Sequence, residues 1–106
     1  MQTSTDTTQV STLEATVARL LAHWRAETAF VSSSTQRNEH PDYLQLIALG
    51  EPALPFLFRD LESTRDGHLS KALTAIAGAH PVPPEARGKI DAIAEAWLRW
   101  ARANGW

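Results

Sequence analysis

All six prolines and all five glycines of this 106-residue chain fall between residues 41 and 105. No other feature limits its possible folds as strongly. Proline lacks the N–H that a helix interior needs and suits a first turn, while glycine suits the left-handed residue just past a helix end. Pro41 and Gly50 therefore bracket one short helix. Pro52 or Pro55 opens the next, Asp66-Gly67 restarts the chain, and Gly78 and Gly105 close two more helices. Before Pro41 nothing of this kind interrupts a helix.

Hydrophobic spacing supports the same division. Ser11-Thr12-Leu13-Glu14 fits a capping box, with Ser11 at N-cap and Glu14 at N3. Beyond it Leu13, Val17, Leu20, Leu21, Trp24 and Thr28 recur at intervals of three and four, the stripe of an amphipathic helix running to about Ala29. Residues 30–40, rich in Ser, Thr, Asn and Gln, read as a loop. Tyr43 to Leu49 is apolar almost all round and reads as the central helix of a bundle. With Pro52 at N1, Pro55 would forfeit a helical hydrogen bond, so Pro55 is the better start. Leu54, Leu57, Phe58 and Leu61 then form one face, ending near Glu62, with Phe56 off it; Leu69, Ala72, Leu73 and Ile76 form the next. His80 to Pro84 is a stiff extended connector. The last helix, expected from Pro84 to Ala103, stacks Ile90, Ile93, Trp97 and Trp100, flanked by Ala94, Leu98 and Ala101, with Gly88 disturbing its first turn. The expectation is an all-α, compact bundle of about five helices. Residues 11–106 form its single domain, behind a polar, Thr-rich head of ten residues expected to be disordered.

Composition removes several classes of function. The chain has no cysteine, which excludes disulfides and thiolate metal sites. Its net charge of −2 proposes neither nucleic acid nor an anionic membrane as partner. Residues 1–62 carry eight acids against four bases and residues 63–106 six bases against four acids, a mild gradient. No apolar run is long enough to span a bilayer, and the first residues lack the basic and apolar regions of a secretory signal. A cytoplasmic location is expected.

"LIALGEPALPFLFRDLES" followed by "HLSKALTAIAG" resembles a HEAT-type helical hairpin: a Leu-Gly turn, Ala-Leu-Pro opening one helix, and an Ala-Leu-rich second helix ending in Gly. The resemblance covers roughly residues 46–78 and has no second copy in the chain, so it implies one HEAT-like unit capped by helices on both sides. The stretches "WRAETAFVSS", "EHPDY", "ALTAIAG" and "WLRW" are also similar to a group of small bacterial proteins. That second likeness implies no particular chemistry. HEAT-like likeness implies a protein-binding scaffold.

His40-Pro41-Asp42 is the triplet of J-domain co-chaperones, but the strongly basic helix that precedes it there is missing. It reads as a helix start, with a polar N-cap, proline at N1 and an acid in the first turn. Around it Ser33, Ser34, Arg37 and His40 are candidates for holding an anion such as phosphate. His23 and Glu27 share a helix face at i,i+4 but lack a third ligand, so no metal is expected. No G-x-S-x-G elbow occurs, and Tyr43 reads as a buried residue with a bonded hydroxyl. Neither an enzyme nor a cofactor is expected. Three of the four tryptophans lie in the last ten positions. Trp24 and Trp97 read as core, whereas Phe56, Trp100 and Trp106 are the candidate partner-binding residues. The alternative is that Trp100 and Trp106 fold back onto the first helix. The expected function is a protein–protein interaction module, such as a regulator, antitoxin, immunity protein or adaptor. The second reading is nucleic-acid binding through Arg87, Lys89, Arg99 and Arg102, which acids interrupt.

Overall fold

The computed structural model describes residues 3–106, with side chains from Thr12 onward. It contains six α-helices: α1 (Thr3–Glu27), α2 (Ser34–Asn38), α3 (Pro41–Leu49), α4 (Leu54–Thr64), α5 (Ser70–Ala77) and α6 (Ile90–Ala103). Single 3₁₀ turns at Glu51–Ala53, Gly67–Leu69 and Pro84–Ala86 precede the last three helices. No strand occurs among the described residues. The expected all-α bundle forms, with one helix more than the sequence suggested. No described helix is long and apolar enough to cross a membrane.

Helix ends follow the local chemistry with four corrections. α1 begins at Thr3 rather than at the Ser11 cap. Of the head expected to be disordered, residues 1 and 2 lie outside the described residues, and the backbone from Thr3 is helical. Within the expected loop, α2 forms because the Ser33 hydroxyl accepts from the Gln36 amide at 3.3 Å. Both prolines of the 52–55 stretch are accommodated, Pro52 in the 3₁₀ turn and Pro55 in the first turn of α4, where neither needs an N–H. The last helix starts at Ile90, because Gly88 adopts φ of +80° and breaks the segment opened by Pro84.

α3 lies between α1 and α5, and α4 between α1 and α6. Val17, Leu20, Leu21, Trp24 and Thr28 of α1 are buried as their spacing required, with Leu13 partly covered. The α4 face is buried as read: Leu54, Leu57, Phe58 and Leu61. Two faces are turned from expectation. α3 buries only Tyr43 and Leu46 and leaves Leu44 51% exposed, so it is covered on one side and is not an all-round central helix. α6 buries Ala94, Trp97, Leu98 and Ala101, while Ile93 and Trp100 sit at the margin. Trp97 of the predicted stripe is buried together with the flanking Ala94, Leu98 and Ala101, so Ile93 and Trp100 fall at the edge of that face.

Polar clamps tie these layers together. Arg25 makes a two-pronged contact with Asp60 at 2.9 and 2.6 Å and donates from Nε to Asp66 at 3.0 Å, joining α1, α4 and the turn before α5. The Tyr43 hydroxyl donates to the His68 carbonyl at 2.8 Å and accepts from the Ala72 amide at 2.9 Å. Indole N–H groups of Trp24 and Trp97 donate to the Arg37 carbonyl at 2.9 Å and the Ser70 hydroxyl at 2.8 Å. Among the described residues no buried side-chain nitrogen or oxygen lacks a partner, so the interior is a closed polar account.

Candidate functional site

The end of α6 fixes two of the three candidate aromatics. The Trp106 amide donates to the Ala101 carbonyl at 2.8 Å and the Gly105 amide to Arg102 at 3.5 Å, with Gly105 at φ of +85°. This is a Schellman ending, in which glycine takes the left-handed position and the next residue folds back along the helix. Trp106 accordingly lies against Phe58 of α4, ring centroids 5.9 Å apart. Trp100 and Trp97 meet the same ring at 6.2 and 6.4 Å, and Trp97 packs edge-on to Trp100 at 5.6 Å. Phe58 and Trp97 are buried, whereas Trp106 stays 47% exposed.

Both edge tryptophans therefore fold onto α4, not onto α1. Trp100 also forms one wall of a cleft of about 740 Å³ between α6 and the connector, with Pro81, Pro83, Ala92 and Ala96 as its apolar lining. Phe56 belongs elsewhere. It lies in a groove between α1 and α4 with Val17 and Leu21, under the Arg59 guanidinium at 5.6 Å. Arg59 in turn pairs with Glu14 at 2.8 Å. The structure thus joins Trp100 and Trp106 through Phe58 and separates Phe56 from them. Phe58 was legible as a core residue, but not as the ring that both tryptophans share.

The margin of this edge is basic. One carboxylate, Glu95, is approached by Arg65 at 2.9 Å, Arg102 at 3.4 Å and Arg99 at 3.6 Å. The bond from Arg65, with the further arginines, holds the Glu95 carboxyl below its ordinary range. Three guanidinium groups on one carboxylate leave positive charge at the cleft that Trp100 lines with Glu95 and Arg99.

The expected anion site is differently arranged. Ser33 caps α2, and Ser34 is the first residue of that helix. The Arg37 guanidinium donates to the Val31 carbonyl. His40 caps α3, its Nδ1 accepting from the Asp42 amide at 3.1 Å. Beside it lie Glu27, 3.6 Å from Nε2, and Asp42, 3.6 Å from Nδ1. An anion needs a cationic cradle, and here the charge beside His40 is negative while the Ser33, Arg37 and His40 side chains bond to nearby backbone. The His40-Pro41-Asp42 triplet is a helix start.

On α1, His23 does more than pair with Glu27 one turn away. Its Nδ1 donates to the Asp42 carboxylate, and its Nε2 is 4.0 Å from Glu27. Its pKa is raised above the ordinary 6.5, chiefly by the bond to Asp42. Among the described residues no three such side chains group so as to hold a metal ion. Burial pushes the Tyr43 phenol well above its ordinary 10.0, so it is a structural donor and not a proton source at neutral pH.

No protein-family model matches this chain, and neither a curated protein nor a solved structure similar to it was found.

Proposed function

We propose that the chain is a non-catalytic protein-interaction module of the cytoplasm that engages its partner through the Trp100–Trp106 edge of α6. One observation carries this reading: Trp106 is half-exposed, yet two backbone hydrogen bonds and the Phe58 ring already hold its segment in place. Large aromatic side chains dominate interface energetics, and one ordered before binding loses little freedom on association. The arginine excess around Glu95 complements a partner segment that carries acids beside an apolar side chain. A regulator, antitoxin, immunity protein or adaptor would suit such an edge. The HEAT-like reading of α4 and α5, joined by the left-handed turn at Arg65, belongs to the same proposal.

Pull-down from the native host with wild-type, Trp106→Ala and Arg99→Glu/Arg102→Glu baits tests it. One protein held stoichiometrically by wild type and lost from both variants, with unchanged melting, is the expected result. Retention by both variants overturns the edge as the interface. The same guanidinium excess favours a second reading, nucleic-acid binding. A nuclease-sensitive absorbance at 260 nm and a steep loss of binding with salt would establish it instead.

A further inference from the structure

α1 and the start of α3 meet at a ring of four alternating groups. Asp42 accepts from Nδ1 of His23 and lies 3.6 Å from Nδ1 of His40. Glu27 stands 3.6 Å from Nε2 of His40 and 4.0 Å from Nε2 of His23. Each imidazole faces two carboxylates, and each carboxylate two imidazoles.

The two imidazoles have different duties. Nδ1 of His40 accepts the Asp42 N–H, which ties that nitrogen to the cap of α3. His23 donates through Nδ1 and caps nothing, so it is free to carry a second proton on Nε2, toward Glu27. The charged groups facing it are Asp42 from α3 and Glu27 and Arg19 from its own helix, with His40 alongside at a ring separation of 6.1 Å. The carboxylates, Asp42 foremost, outweigh desolvation and Arg19, and the net shift is upward. A charged His23 turns its bond to Asp42 into a charge-assisted one.

The segment between the two helices meets α1 at this junction. α2 buries no residue. The segment is held where the Trp24 indole donates to the Arg37 carbonyl and where His40 and Asp42 meet α1.

We propose that His23, Glu27, His40 and Asp42 form a proton-operated latch that closes residues 29–40 onto α1 when His23 is charged and loosens them when it is neutral. Because the folded pKa is raised, the tie is complete below the ordinary 6.5 and is lost as pH rises through the higher folded value.

Proton and nitrogen NMR of the full chain across the imidazole range tests this. The expected result has three parts. The His23 ring titrates above 6.5. The Trp24 indole and Asp42 amide signals shift with the same midpoint. His23→Gln abolishes that shared inflection, whereas His40→Asn, which keeps an oxygen acceptor at the cap, retains it. A His23 midpoint at or below 6.5, a Trp24 indole signal flat across the range, or the same inflection in His23→Gln would each overturn the latch.

Discussion

At the scale of single residues, two buried positions set tolerances that their neighbours in sequence do not announce. Gly67 sits where α6 arrives: a Cβ there would stand 2.5 Å from the Ile90 carbonyl oxygen and 3.0 Å from the Ile93 Cβ. Backbone cannot yield as a flexible side chain does, so Gly67→Ala should cost about 1–3 kcal/mol of stability, read as a lower urea midpoint with an unchanged slope. Tyr43 is the converse case. Removing its hydroxyl leaves the buried Ala72 amide and the His68 carbonyl without their partner. Tyr43→Phe should cost about 1–3 kcal/mol, measured in the same titration. Tyr43 could be read from the sequence, because a tyrosine in an apolar helix must bond its hydroxyl. Gly67 read only as a turn, because the backbone that crowds it lies more than twenty residues further along.

At the scale of elements, legibility depended on how much apolar surface each helix buries. α3 ends where Pro41 and Gly50 place its ends, and the α4 face is the one its spacing predicts. α2 is not legible in the sequence because Ser34-Thr35-Gln36-Arg37-Asn38 has no apolar residue and buries none; its one signal is the Ser33 cap. That difference is testable. Ser33→Ala should weaken α2 by about 1 kcal/mol, seen as faster amide hydrogen exchange at Gln36 and Arg37, with the global melting temperature unchanged. Coincident loss of α2 and the global fold would mean that the core needs this helix. α6 shows the opposite error. Its heptad-like spacing points to Ile90, Ile93, Trp97 and Trp100; of these Trp97 is buried, beside the flanking Ala94, Leu98 and Ala101, and the other three are only partly covered. Trp100 lies at the edge of that face and the path of Trp106 is set by the Gly105 turn, which the sequence marks only as a helix end, so the candidate interface is only partly visible in the sequence.

At the scale of the molecule, stability should be limited by protons at both ends of the pH range, through contacts between distant parts of the chain. Burial alone would raise the Asp66 carboxyl, but the bond and charge of Arg25, supported by His68, outweigh it and hold the pKa below its ordinary 3.8. A carboxylate with a depressed folded pKa contributes stability that is present above the unfolded value and lost as pH falls through the folded one. His23 acts in the opposite sense: its contribution is present below 6.5 and lost as pH rises through its raised folded value. The melting temperature should therefore be highest between these limits and decline on both sides. Arg25 separates the two causes. Arg25→Met leaves Asp66 half-buried without its guanidinium, so burial then dominates. That variant should lose about 1–3 kcal/mol near neutrality and lose the acid decline attributable to Asp66, while its alkaline decline persists. Melting curves of wild type and Arg25→Met across pH decide the matter. An acid slope that survives in the variant would show that the clamp from α1 to α4 and the turn before α5 is not what acid undoes.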